Sequence, residues 1–227
     1  MTKDKIATLQ NELRAIRDSA IEVENITYIP ADNEVSKKSI IKNLQCSIMF
    51  VDMRNSTQMQ DINGRKNMVK IYKMFARLVI KAVEENGGKV MQIVGDGFLC
   101  LFVNDEINSG QKAINAAISI NTYVSKAYNE IVNDKWTIGF GCGICSGHVY
   151  ITKIGVKGKN KCSQLAFPSS VTNYASKFCG LADKGCVIVD YETFKQLNKD
   201  SKKYLNEIKT VNYGSAFCME NVTWKIC

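Results

Sequence analysis

Ile6, Leu9, Leu13, Ile16, Ala20 and Val23 recur at spacings of 3-4-3-4-3, with charged residues between them. That is a heptad stripe, and it predicts an amphipathic helix within residues 1–28. Fewer than three heptads are short for an autonomous coiled coil, so the stripe either pairs two protomers or packs on its own domain. Pro30 and the polar run that follows then read as a linker, residues 29–44.

From Cys46 the pattern changes to alternating strands and helices. CSIMFV is an apolar run that predicts a buried strand ending at Asp52. A T-x-x-Q capping box at Thr57–Gln60 predicts one long amphipathic helix reaching the Gly87-Gly88 stop. KVMQIV and FLCLFV predict two short strands around the hairpin signal Gly95-Asp96-Gly97. A second helix is expected over about 109–130 and a glycine-rich strand pair over about 136–154. A basic loop with Lys157, Lys159 and Lys161 precedes a helix starting near Ser169. The strand CVIVD, a short helix and two further strands close the chain.

Composition narrows what such a fold does. With 45% apolar and 23% charged residues among 227, the chain is globular rather than disordered. No apolar run approaches the ~18 residues of a membrane span, and the polar N-terminus is unlike a signal peptide. A cytoplasmic location is expected. The one histidine, His148, excludes Ser-His-Asp triads, HExxH zinc sites and facial triads. Nine cysteines, mostly inside apolar runs, suit reduced buried thiols. Cys142 and Cys145 have CxxC spacing, but on a strand these positions point to opposite faces. The net charge of +8 suits a polyanionic partner, although most lysines are scattered enough to be a solvated surface.

Two carboxylates stand out. Asp52 ends the first strand and Asp96 occupies the hairpin tip, so both sit on rigid elements that neighbour each other. Without histidine, such a pair suits hard cations such as Mg²⁺ or Mn²⁺. The segment Arg54, Asn55, Ser56, Thr57 feeds straight into a helix N-terminus, where free N–H groups bind phosphate. Carboxylates beside a phosphate cradle imply phosphoryl chemistry on a nucleoside triphosphate. The plainer account is that Asp52 caps and Asp96 turns.

The order IMFVDMRNST, GGKVMQIVGDGFLCLF, GFGCGICSGHVYITKIG and VTNYASKF resembles the catalytic domain of class III nucleotide cyclases. The resemblance implies an α+β, ferredoxin-like βαββαβ core, here residues 45–227, working as a homodimer with sites shared between subunits. It also implies two Mn²⁺ or Mg²⁺ ions per site. Asp52 and Asp96 match the metal aspartates, and Met53 matches the residue lending a backbone carbonyl. Asn173 takes the place of the ribose-orienting asparagine and Lys177 that of the transition-state arginine. Lysine keeps the charge but loses the planar two-pronged contact. The C-terminal loop NYGSAFCMEN lacks the pattern of the terminal-phosphate lysine.

At the base-selecting positions the family carries lysine or glutamate, and Asp or Thr; this chain has Gln92 and Ala166. Neither purine pattern is present, and the Gln92 amide offers both a donor and an acceptor to a pyrimidine edge. The VDMR-x-ST form resembles the bacterial pyrimidine cyclases of Pycsar antiphage systems. That implies UTP or CTP as substrate, cyclic UMP or CMP as messenger, and a separate effector, with neither nucleic acid nor membrane as partner. Two other readings stay open: an adenylyl cyclase with an unusual base pocket, and a degenerate cyclase fold that only binds nucleotide.

Overall fold

In the computed structural model, which describes residues 2–35, 40–156, 162–210 and 214–223, the chain opens on helix α1 (Lys3–Arg17) and strand β1 (Glu22–Ile26). The heptad stripe is therefore helical only as far as Ile16. Val23 lies in a strand that pairs in parallel with β2 (Ile40–Met53), Val23 opposite Ile41. β-Branched residues at 21, 23 and 26 favour extended backbone, and an existing sheet edge decides the contest. None of α1 is buried: Ile6, Leu9, Leu13 and Ile16 are 42–71% exposed. The stripe thus does not pack on its own domain. Nor are residues 29–44 a plain linker, because Pro30 and Val35 are buried and β2 begins at Ile40.

After β2 the expected single helix is two, α2 (Ser56–Asn63) and α3 (Arg65–Glu85). Gly64 separates them at φ +75°, a left-handed backbone that costs glycine little. The capping box does not form. Asn55, at φ 61°, is the N-cap, and Thr57 already lies inside the first turn. α3 buries Met68, Ile71, Phe75, Val79, Ala82 and Val83, a stripe at 3–4 spacing. Each fully buried Met, Ile, Phe or Val side chain among them contributes roughly 1.5–3 kcal/mol.

Strands β3 (Gly88–Val94) and β4 (Gly97–Val103) form the expected hairpin. Helix α4 (Ser109–Tyr123) runs through a π-helical turn, Val124–Tyr128, into α5 (Asn129–Ile131). The glycine-rich segment is one long strand, β5 (Phe140–Val156), rather than a pair; Trp136 sits in a 3₁₀ turn before it. The remainder is β6 (Cys162–Ala166), α6 (Ser170–Leu181), β7 (Cys186–Asp190), α7 (Tyr191–Lys195), α8 (Lys199–Lys202), β8 (Asn206–Thr210) and β9 (Gly214–Glu220). The basic loop at Lys157, Lys159 and Lys161 lies outside the described residues, as does the start of the C-terminal loop.

Among the described residues the sheet has nine strands, ordered β3-β4-β2-β5-β7-β9-β8, with β1 on β2 and β6 on β5. β2 is central and buried on both faces, which is why its sequence is a continuous apolar run. Met49, Val51, Phe98 and Cys142 face α3 and α4. Ile48, Leu99, Leu101 and Cys145 face α6. The CxxC pair is accordingly split between faces. Cys46, Cys100, Cys142, Cys145, Cys179, Cys186 and Cys218 are free and buried, and burial pushes the Cys46 thiol up to about 12.

Close approach of α6 to β5 depends on alternate glycines along one face of the strand. A Cβ at Gly143 would fall 2.1 Å from the Ala175 carbonyl oxygen, and one at Gly147 would fall 2.8 Å from Val171. Both contacts are too short for any side chain, so α6 lies directly against the strand backbone.

Candidate active site

Asp52 is the penultimate residue of β2, paired with Gly97 of β4 on one side and Gly141 of β5 on the other. Met53 is buried, which holds the strand end in place. Across the β3–β4 hairpin, Val94 pairs with Gly97, leaving Gly95 and Asp96 as a two-residue turn. Gly95 has φ +62° while Asp96 is not left-handed, the pattern of a type II′ turn with glycine at its first position. The hairpin carries Asp96 to the end of β2 where Asp52 sits.

The two carboxylates feel each other. Burial, then repulsion from Asp96, raises the Asp52 pKa, against an opposing pull from Arg54. Asp96 Oδ2 is buried and has no hydrogen-bond partner. A buried carboxylate oxygen without a donor is costly, and a cation relieves both that cost and the repulsion. Among the described residues no third acidic, histidine or cysteine side chain completes a cluster. Two oxygen ligands with further positions left to backbone and substrate fit a hard ion such as Mg²⁺ or Mn²⁺ and not a structural zinc. His148 is exposed and pairs with Gln45, seven residues back along β2 from Asp52, roughly 23 Å at the usual strand rise.

Following β2, Asn55 is exposed, Ser56 is half-buried and Thr57 is exposed, all at the start of α2 beside Asp52. Their N–H groups open the helix without a side-chain cap. Arg54, expected to face phosphate with them, turns inward. Its Nη1 donates to Asp52 Oδ2 at 3.1 Å, its Nε donates to the Ala182 carbonyl at 2.8 Å, and its Nη2 donates to the Cys179 carbonyl. All three guanidinium nitrogens are thus engaged on the fold. The alternation of glycines in GFGCGICSG was the available signal, since only a bare backbone at Gly141 admits the guanidinium.

Asn173 and Lys177 stand one turn apart on α6, both exposed, while Ala175, Phe178 and Cys179 form the buried face. Ser169 caps the helix, accepting from the Thr172 N–H at 3.0 Å. Lys177 Nζ lies 5.7 Å from the Tyr174 ring centroid. Both side chains project from the exposed face of α6. Val171, at the start of α6, lies at Gly147, and the helix runs back along β5 so that its end, at Cys179 and Ala182, meets the same Arg54 that holds Asp52. Gln92, on β3 beside a bulge, donates from Nε2 to the Leu165 carbonyl at 2.5 Å. It is thereby brought next to Ala166 on β6, through a backbone partner that no sequence pattern marks. A cavity of about 580 Å³ opens beside them, lined by Gln92, Val94, Ser163 and Leu165 among others. That is ample for a nucleobase.

The description "Adenylate and Guanylate cyclase catalytic domain" matches residues 40–218. Among similar proteins, the Uridylate cyclase of Rhodovulum sp. (strain MB263) is 23% identical, over 96% of this chain and 90% of its own length. The Uridylate cyclase of Gulbenkiania mobilis is 27% identical, over 79% of this chain and 73% of its own. The adenylyl cyclase CyaB from P. aeruginosa superposes with a TM-score of 0.65 at 13% identity, covering 79% of this chain and 95% of its own. No helix among the described residues is long and apolar enough to cross a membrane. With a catalytic-domain match over most of its length and the ferredoxin-like core in place, the chain belongs to the adenylate and guanylate cyclase family of class III nucleotide cyclases.

Proposed function

We propose that this chain is a pyrimidine nucleotide cyclase that converts UTP, in preference to CTP, to the 3′,5′-cyclic nucleotide and pyrophosphate. The observation that carries the reading is the Asp52–Asp96 pair, with one carboxylate oxygen buried and unsatisfied. In the reaction the ribose 3′-oxygen bonds to the α-phosphorus, the bond to the β-phosphate oxygen breaks, and the hydroxyl proton passes to solvent. Divalent cations bound there, two per site, supply charge neutralisation on the phosphates and acidify the 3′-hydroxyl. Asp52, Asp96 and the Met53 carbonyl hold that charge in place. The opening N–H groups of α2, at Asn55, Ser56 and Thr57, receive phosphate oxygens. Asn173 orients the ribose and Lys177 neutralises charge growing at the reacting phosphorus.

The resemblance to dimeric class III cyclases supports a shared site, in which each site draws Asn173 and Lys177, with Gln92 and Ala166, from a second copy. Gln92 supports the pyrimidine. Its Nε2 is committed to the Leu165 carbonyl, which leaves Oε1 to accept from the base. Uracil offers a donor at N3, where cytosine presents an acceptor. The Uridylate cyclase names of the relatives support the same choice. The resemblance of its motifs to the Pycsar cyclases supports a product that is a messenger in a cytoplasmic antiphage response, read by a separate effector.

The deciding experiment gives the pure protein equal UTP, CTP, ATP and GTP with Mn²⁺ and resolves the products by mass. Cyclic UMP should dominate; cyclic AMP as the main product overturns the reading. Mixing inactive Asp96→Asn with inactive Asn173→Ala subunits should restore one working site per heterodimer. Confirmed subunit exchange without rescue overturns the shared site.

A further inference from the structure

Arg54 is the residue whose placement the cyclase reading does not use. Its side chain is 19% exposed and spans three acceptors on two elements: the Asp52 carboxylate, at the end of β2, and the Cys179 and Ala182 carbonyls, at the end of α6. The last carbonyls of a helix lack partners within it, and a cation there also meets the negative end of the helix dipole. The chain makes room for this contact. A Cβ on Gly141, the β5 partner of Asp52, would lie 1.8 Å from Arg54 Nη2, so any other residue there expels the guanidinium. A lysine at 54 has one ammonium and cannot reproduce a planar group held at three corners.

We propose that Arg54 is a positioning residue that locks the Asp52 carboxylate to the C-terminal end of α6, and so ties together the two half-sites one protomer supplies. One end of the clamp sets the direction of a metal-holding carboxylate. The other anchors the helix that carries Asn173 and Lys177. The second consequence rests on the shared-site reading above: the two ends then serve different active sites of one dimer, and Arg54 is a rigid link between them. The first consequence holds whichever chain completes the site.

The test uses full-length Arg54→Lys, Arg54→Ala and Gly141→Ala proteins, with folding checked by circular dichroism. Three readouts are taken: Mn²⁺ binding by electron paramagnetic resonance without nucleotide, amide hydrogen exchange over residues 178–185, and the Mn²⁺ dependence of turnover. Loss of a group that orients a metal ligand weakens metal binding or activity by roughly 10- to 100-fold, and that loss is expected in all three variants. Exchange at the end of α6 should accelerate in the same proteins, and lysine should not rescue. Unchanged Mn²⁺ binding and unchanged exchange in folded Arg54→Lys overturn the clamp, whatever the melting temperature does. If Arg54→Ala does not fold, Arg54→Lys carries the decision.

Heterodimers then separate the two ends. Paired with an Asp96→Asn subunit, an Arg54→Lys subunit supplies the carboxylates of the surviving site, and the Mn²⁺ requirement should rise. Placing Arg54→Lys in the Asp96→Asn subunit itself perturbs only the α6 that serves the surviving site, so turnover should fall at an unchanged Mn²⁺ requirement. Identical effects from both placements overturn the link. Absence of activity in the parent heterodimer removes the shared-site reading and leaves the Mn²⁺ and exchange results of the homodimer to judge the clamp.

Discussion

The two halves of the candidate site are built on opposite plans. Asp52 and Asp96 converge within one chain, on a central strand and a tight hairpin, and they converge at an energetic cost: mutual repulsion and an unsatisfied buried oxygen. Asn173 and Lys177 sit on the exposed face of a well-packed helix, with Lys177 beside the Tyr174 ring. A strained, inward site identifies its ligand by what it lacks. An unstrained, outward one identifies only that a partner surface is needed. This difference predicts opposite responses to mutation.

Replacing the strained half has the largest expected effect. Asp52→Asn and Asp96→Asn should each lower cyclisation by about 10³-fold or more, the loss of several kcal/mol of charge stabilisation. Folding should not suffer, and here the comparison sharpens. The Asp52 pKa is raised in the folded state, so its ionised form opposes folding. That opposition is absent below the unfolded value, grows as pH rises through it, and is complete above the folded pKa. Melting curves of Asp52→Asn should therefore match the parent in acid and lie above it at neutral pH. A lower neutral melting temperature would place Asp52 among the structural residues.

Substitutions in the outward half should cost activity alone. Asn173→Ala and Lys177→Ala should each reduce turnover by roughly 10²-fold, the usual scale for losing an orienting or charge-stabilising contact, with melting temperature unchanged. Lys177→Arg should raise turnover above the parent, since guanidinium contacts phosphate at two points where ammonium makes one. Steady-state kinetics beside thermal melts separate these outcomes, and a stability loss in Asn173→Ala would break the contrast.

The smallest effect belongs to α1, whose apolar stripe resembles that of α3 in spacing but not in fate. α3 buries its stripe against the sheet, whereas Ile6, Leu9, Leu13 and Ile16 face outward. If the stripe pairs protomers, deleting residues 1–17 should leave the melting temperature near that of the parent and lower specific activity chiefly on dilution. Sedimentation across a concentration series measures it; unchanged association would remove α1 from the dimer.

Much of the arrangement was legible in the residues. Continuous apolar runs marked β2 and β4 because both of their faces are covered, and glycine at 95 marked the turn that presents Asp96. Elsewhere local signals lost. The capping box at Thr57 was overridden by Asn55, and the long helix broke where Gly64 adopts positive φ. Val23 followed the heptad but joined β2, because an open sheet edge satisfies a strand's backbone better than solvent does.

The sequence alone determined the chemistry on offer: two strand-end carboxylates, no usable histidine, a neutral amide where purine cyclases place an ion. Residue type and period are local properties, and they survive without coordinates. Tertiary structure decided the relationships. It set Arg54 onto Asp52 and α6, gave Gln92 a backbone partner in Leu165, and placed Asn173 and Lys177 on the exposed face of α6. Each of these depends on which backbone comes close to which, as where a missing Cβ at Gly141 leaves room for a guanidinium. Contacts between residues distant in the chain are set by the packing of whole elements, and no spacing in the sequence encodes them.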